Sequence, residues 1–111
     1  MRDIAPNIGF ADSSYKSCEM SNGNLVVYLN SWDNKTLKIS FLNTIEFSYK
    51  IGSFTAGVFE KTDEYLLLNE ALDLYYEKLP ETHSFKVFVI IDIEDFPVFK
   101  VVAEEVNVVK E

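Results

Sequence analysis

The chain has 111 residues, is 48% hydrophobic and 14% aromatic, and carries a net charge of −8. One domain is expected at that length, the apolar content excludes a disordered chain, and no apolar run reaches the ~18 residues needed to cross a bilayer. A lone cysteine, Cys18, excludes an internal disulfide, and the N-terminal stretch has no long apolar run, so the composition reads as cytoplasmic.

Residues 1–13 read as an irregular arm punctuated by Pro6, Gly9 and Asp12, with Ile4, Ile8 and Phe10 available to pin it to a core. Tyr15 to Met20 reads as a strand. The Asn22-Gly23 pair that follows is a strong hairpin signal, because both residues tolerate positive φ. Leu25 to Leu29 returns with Leu25, Val27 and Leu29 on one face. Residues 30–34 form a second turn, and Lys35 to Phe41 a third strand with Leu37, Ile39 and Phe41 inward. The same phase continues through Ile45, Phe47 and Tyr49 and is broken only at Asn43. One straight strand over residues 35–49 would be roughly 50 Å long at ~3.3 Å per residue, too long for a domain of this size, so a bend near Asn43-Thr44 is expected. Ile51 to Gly57 reads as a loop because of its two glycines.

A helix is expected over residues 63–79. Tyr65, Leu68, Leu72, Tyr75, Tyr76 and Leu79 recur at helical spacing, and Glu64, Glu70, Asp73 and Glu77 take the wet side. Thr62 or Asp63 can cap it and Pro80 ends it. The densest apolar stretch, Ser84 to Lys110, reads as a strand pair about which the chain is organised. Phe85, Val87, Val89, Ile91 and Ile93 share one face, and Lys86, Phe88, Ile90, Asp92 and Glu94 the other. Pro97 fits the start of the returning strand, which runs over Val98 to Val102. Glu104-Glu105 interrupts it as a bulge or bend before Val106 to Val109. The fold class that follows is α+β: a mainly antiparallel sheet of about five to six strands with one main helix packed on one face.

The charge is uneven. Residues 1–55 carry five bases and five acids, so the whole of the −8 falls on residues 56–111. An acidic half repels nucleic-acid phosphate and attracts a basic protein. The bland alternative is an acidic surface that only keeps the chain soluble. The candidate partner-binding residues are Trp32 and Asp33 in a turn, Glu70, Asp73 and Glu77 on the helix, and Asp92, Glu94 and Asp95 around the C-terminal hairpin turn. Trp32 stands out because tryptophan is enriched at interface hot spots, although it can also fold over a sheet edge.

No catalytic motif, nucleotide loop or metal signature is present. His83 is the only histidine and Cys18 has no second cysteine to join it. The Asp92, Glu94, Asp95 trio lacks the glycine-bearing spacing of a calcium loop. A reading as an enzyme or small-ligand binder would rest on Tyr75, Tyr76, His83 and Asp92 converging in a pocket. No catalytic, cofactor or metal residue is assigned.

The stretches NGNLVVYLNSWDNKTLKISF, IEFSYK and DIEDFPVFKVVAEEVNVV resemble, in pattern, small bacterial immunity-type proteins of polymorphic toxin systems over roughly Tyr15–Glu111. The resemblance implies an acidic, single-domain, cytoplasmic binder that blocks a cognate toxin. It carries no residue-by-residue site. A third reading is self-association. If the helix covers the Val87 and Val89 face, then Phe88 and Ile90 lie opposite and need a cover, either the N-terminal arm or a second copy in a homodimer.

Overall fold

The computed structural model describes residues 2–10, 12–50, 55–62, 65–76, 83–94 and 96–111. Its elements are β1 (Arg2–Asp3), β2 (Ser14–Ser21), β3 (Asn24–Asn30), β4 (Thr36–Leu42), β5 (Glu46–Tyr49), β6 (Thr55–Lys61), α1 (Tyr65–Tyr75), β7 (Lys86–Asp92), β8 (Pro97–Ala103) and β9 (Glu105–Lys110). Among the described residues the architecture is mostly antiparallel sheet with a single short helix. The strands do not form one sheet of five to six. They sort into two, in the orders β1-β6-β7-β8-β5 and β2-β3-β4-β9.

The two sheets pack face to face. One core joins Leu25, Val27, Leu29, Leu37, Ile39 and Phe41 to Val58, Phe88, Ile90, Phe99 and Val101. In β3 and β4 these residues alternate with less buried side chains, as a half-buried strand requires, whereas β7 is buried on both faces beyond Lys86. The helix lies on the other side of the five-stranded sheet, where Ala71 and Leu72 meet Phe85, Val87 and Val102 in a second cluster. The expected strand faces are therefore right, but the cover of one differs. Phe88 and Ile90, each 1% exposed, are covered by the second sheet of the same chain. They are closed to a second copy, which corrects the self-association reading. Within residues 1–13, Phe10 is buried in this core and Ile4 and Ile8 pack against it as expected, but the arm is not irregular throughout: Arg2 and Asp3 pair with β6.

The chain passes between the sheets three times: from β1 to β2 along the N-terminal arm, and at the two places where its pattern breaks. Asn43 sits at φ 54°, between β4 and β5. Glu104 lies between β8 and β9. These last two passages are clamped together: the Asn43 side-chain amide donates to the Glu104 carboxylate at 2.9 Å, and the Glu104 N–H donates to the Leu42 carbonyl at 2.9 Å. Thr44 N–H donates to the Gly23 carbonyl at 2.8 Å, which ties the passage at Asn43 to the β2–β3 turn. That turn has Asn22 at φ 54° and Gly23 at φ 79°, so both central residues are left-handed, the geometry that suits a two-residue hairpin.

Two local expectations need correction. Residues 55–57 are not loop but the start of β6, which pairs with β7 and, through Phe59 and Glu60, with β1. Ile93, expected on the core face, is 59% exposed in the β7–β8 turn. The described part of the expected helix is Tyr65–Tyr75, and its expected ends at 63–64 and 77–79, with Pro80, lie outside the described residues.

Candidate functional site

The helix presents the most unusual surface. Leu68, Ala71 and Leu72 turn toward the sheet. Three or four residues away along the helix, Glu70, Asp73 and Leu74 share the wet side, where residues at those spacings are neighbours. Glu70 and Asp73 are exposed as expected. Leu74 is 85% exposed, the highest value of any large apolar residue described. Tyr75, expected inward, is 58% exposed, with its ring edge against Phe85 at 5.6 Å and Tyr76 at 4.8 Å. The result is an apolar anchor and a ring bordered by two carboxylates. The helix itself, YLLLNEALDLY, contains no lysine or arginine. Glu77, the third helical candidate, lies outside the described residues. Leu74 was missed as a binding candidate, and Tyr75 figured only in the small-ligand reading; the signal for Leu74 was its place on the acidic side of the helical pattern.

The β3–β4 turn holds Trp32 and Asp33. Trp32 is 67% exposed and does not fold over the sheet edge. Beside it the turn is tightly built. Ser31 is buried, its N–H donates to the Lys35 carbonyl at 2.8 Å, and its hydroxyl donates to the Asp33 carboxylate. Asp33 also pairs with Lys110 at 3.0 Å. The Ser31 hydroxyl, and then the Lys110 ammonium, hold the Asp33 carboxyl down at about 2. Asp33 is thus already engaged within the chain, whereas Trp32 is offered outward on a firm turn.

The β7–β8 turn separates its acids. Asp92 is 1% exposed, and its carboxylate accepts from the N–H groups of Glu94 and Phe96, each at 2.9 Å. An aspartate that bonds its own backbone a few residues on is a turn builder. Asp92 is therefore removed from the partner-facing candidates. Glu94 is exposed beside Ile93 and Phe96, 59% and 64% exposed, and Asp95 lies outside the described residues.

The residues that would make a small-ligand site do not converge. Tyr75 and Tyr76 gather round Phe85 just before β7, where the exposed His83 accepts the Phe85 N–H at 3.2 Å. Asp92 closes the other end of β7, roughly 20 Å away at ~3.3 Å per residue. Where the two sheets meet near β2 and β5, a cavity lined by Tyr15, Leu29, Tyr49, Thr55, Ile90, Val98 and Phe99 holds about 20 Å³, room for about one water. Beside it the Tyr15 hydroxyl is pushed up to about 12, first by a hydrogen bond with Cys18 and then by burial. Among the described residues no three His, Cys, Asp or Glu side chains gather where they could hold a metal ion. No helix among them is long and apolar enough to cross a membrane.

No protein-family model matches the chain, and neither does any curated protein or any solved structure.

Proposed function

We propose that this chain is a non-catalytic binding protein that holds a basic protein partner, in the manner of an immunity-type inhibitor of a cytoplasmic toxin. The observation that carries this reading is the wet face of α1, where Leu74 stands 85% exposed beside Asp73 and one turn on from Glu70. Leaving a leucine so exposed gains nothing for folding, and an apolar anchor inside a charged rim is how a protein interface is built. The acidic rim selects a basic partner and speeds its encounter. Exposed Trp32 offers a second anchor. The self-association alternative loses its basis at Phe88 and Ile90, because that face is covered within the chain.

The test is capture of a partner from the protein's own cell lysate on immobilised chain, washed at low and high salt, with the product of the adjacent gene assayed directly. The expected result is a basic protein, released by salt, whose toxicity the chain blocks. Leu74→Ala should weaken its binding by roughly ten-fold or more, as a buried anchor does. Glu70→Lys with Asp73→Lys should chiefly slow association. Binding that survives all three substitutions, or a partner that is not basic, overturns the reading.

A further inference from the structure

We infer that the chain forms a symmetric homodimer by pairing β5 with β5 of a second copy, in an antiparallel register centred on Ser48. This inference is independent of the proposed function. Among the described residues β5 is the last strand of its five-stranded sheet. The Lys50 N–H donates to the Val98 carbonyl at 2.8 Å on the β8 side. In an antiparallel ladder alternate residues point their backbone groups in opposite directions. The N–H and C=O groups of Phe47 and Tyr49 are therefore turned to the open edge, where they can pair with another strand.

The side chains of this edge are complementary to themselves. A two-fold axis through Ser48 sets Phe47 opposite Tyr49 of the second copy, and Tyr49 opposite its Phe47. These are the two residues whose backbone groups face outward, so they form the hydrogen-bonded pairs. Their rings are 40% and 42% exposed in the single chain. Tyr49 is already held in place, with its ring 4.6 Å from Phe99 and 5.1 Å from Tyr15. Aromatic residues directly opposite across an antiparallel pair stabilise it.

The same register sets Glu46 opposite Lys50 at both ends. Among the described residues neither side chain has an ion pair: the half-buried Glu46 has one oxygen, Oε2, buried with no hydrogen-bond partner, and Lys50 is exposed. Oε2 is itself closed to solvent, so a lysine from the second copy supplies counter-charge to the half-buried carboxylate as a whole rather than a bond to that oxygen. The edges of the four-stranded sheet, β9 and β2, match themselves less well. Pairing β9 about Asn107 would set Lys110 opposite Glu104, but Lys110 already binds Asp33 and Glu104 already binds Asn43 and Ser84. Strand β2 carries a bulge near Lys16, which interrupts a regular edge.

The contact is short, so association is expected in the ~10–100 µM range rather than tighter. Sedimentation velocity of the full chain from ~10 µM to ~1 mM tests it. The parent should shift from monomer to dimer across that range. Lys50→Glu places like charges opposite each other at both ends and should weaken the dimer by roughly ten-fold. Adding Glu46→Lys to it exchanges the two charges and should restore the parent's association, with circular dichroism showing that each variant is folded. Lys50 is exposed, so its substitution reads association even where Glu46→Lys alone lowers stability. A parent still monomeric at ~1 mM overturns the inference. So does a dimer indifferent to Lys50→Glu, which would place the contact on another edge. Failure of the double variant to recover overturns the register.

Discussion

The burial of Phe88 between the two sheets has a measurable consequence. Phe88 lies in the middle of β7, is 1% exposed, and its ring centre is 6.0 Å from that of Phe41 on the opposing sheet. Phe88→Ala removes the ring and leaves a space that the flanking strands cannot close without shifting. Such truncations cost about 3–5 kcal/mol, a large part of the ~5–15 kcal/mol that holds a domain folded. With a urea slope of about 1.5 kcal/mol/M for a small domain, the midpoint should fall by roughly 2–3 M. Urea titration followed by fluorescence reads this shift, and sedimentation should give the variant the parent's association constant. A variant with the parent's midpoint would refute the burial. A variant with unchanged stability but weaker association would return Phe88 to an interface between copies.

Gly23→Ala should cost about 1 kcal/mol, since φ is 79° there while the space for a Cβ is open, so the loss is backbone strain alone; the thermal midpoint reads it. Asn43→Gly keeps the left-handed backbone and loses only the bond to Glu104, so it should cost about 1 kcal/mol or less, while Asn43→Ala adds roughly 1 kcal/mol of strain. Equal losses in the two variants would show that the backbone at Asn43 is unstrained. Asp33 titrates near 2 in the folded chain against an ordinary value near 3.8. Its folded value is depressed, so its contribution is present above the ordinary value and is lost as pH falls through about 2. Asp33→Asn should flatten stability against pH over that window, and a carboxyl shift titrating near 4 in NMR would refute the pairing with Ser31 and Lys110.

Strand positions and faces were legible where the alternation was strict. Leu25, Val27 and Leu29, and again Leu37, Ile39 and Phe41, are buried on the faces that their spacing indicates. What the alternation could not show was which surface covers each face. A two-residue period says that Phe88 and Ile90 need cover, and it is the same whether the cover is a helix, a second sheet or a second chain. The breaks at Asn43 and Glu104 were visible as bends, but a bend within a sheet and a passage between sheets leave the same mark. The start of β6 was unreadable because Ala56 and Gly57 have little strand preference; the strand is held by pairing with β7 and β1, contacts remote in sequence. Asp92 was read as surface from its charge. Its role is set by the N–H groups of Glu94 and Phe96, which only the folded turn brings to it.

The sheet order bears on how the two proposed surfaces combine. In β1-β6-β7-β8-β5 the helix packs over Phe85, Val87 and Val102, on the central strands, while β5 is at the border. Pairing at β5 extends the sheet sideways and leaves the outward side of α1 uncovered. Glu70, Asp73 and Leu74 then appear twice, once on each copy, related by the two-fold axis. A partner with two basic sites, or two partner molecules, can be held at once, and a second contact made within one complex strengthens binding without any new kind of contact. The two surfaces are separable by substitution: Lys50→Glu should leave the affinity of a single helix face unchanged while removing the gain from pairing, and Leu74→Ala should do the reverse. An interface built on Phe88 and Ile90 could not work this way, because exposing those residues would require the sandwich to open.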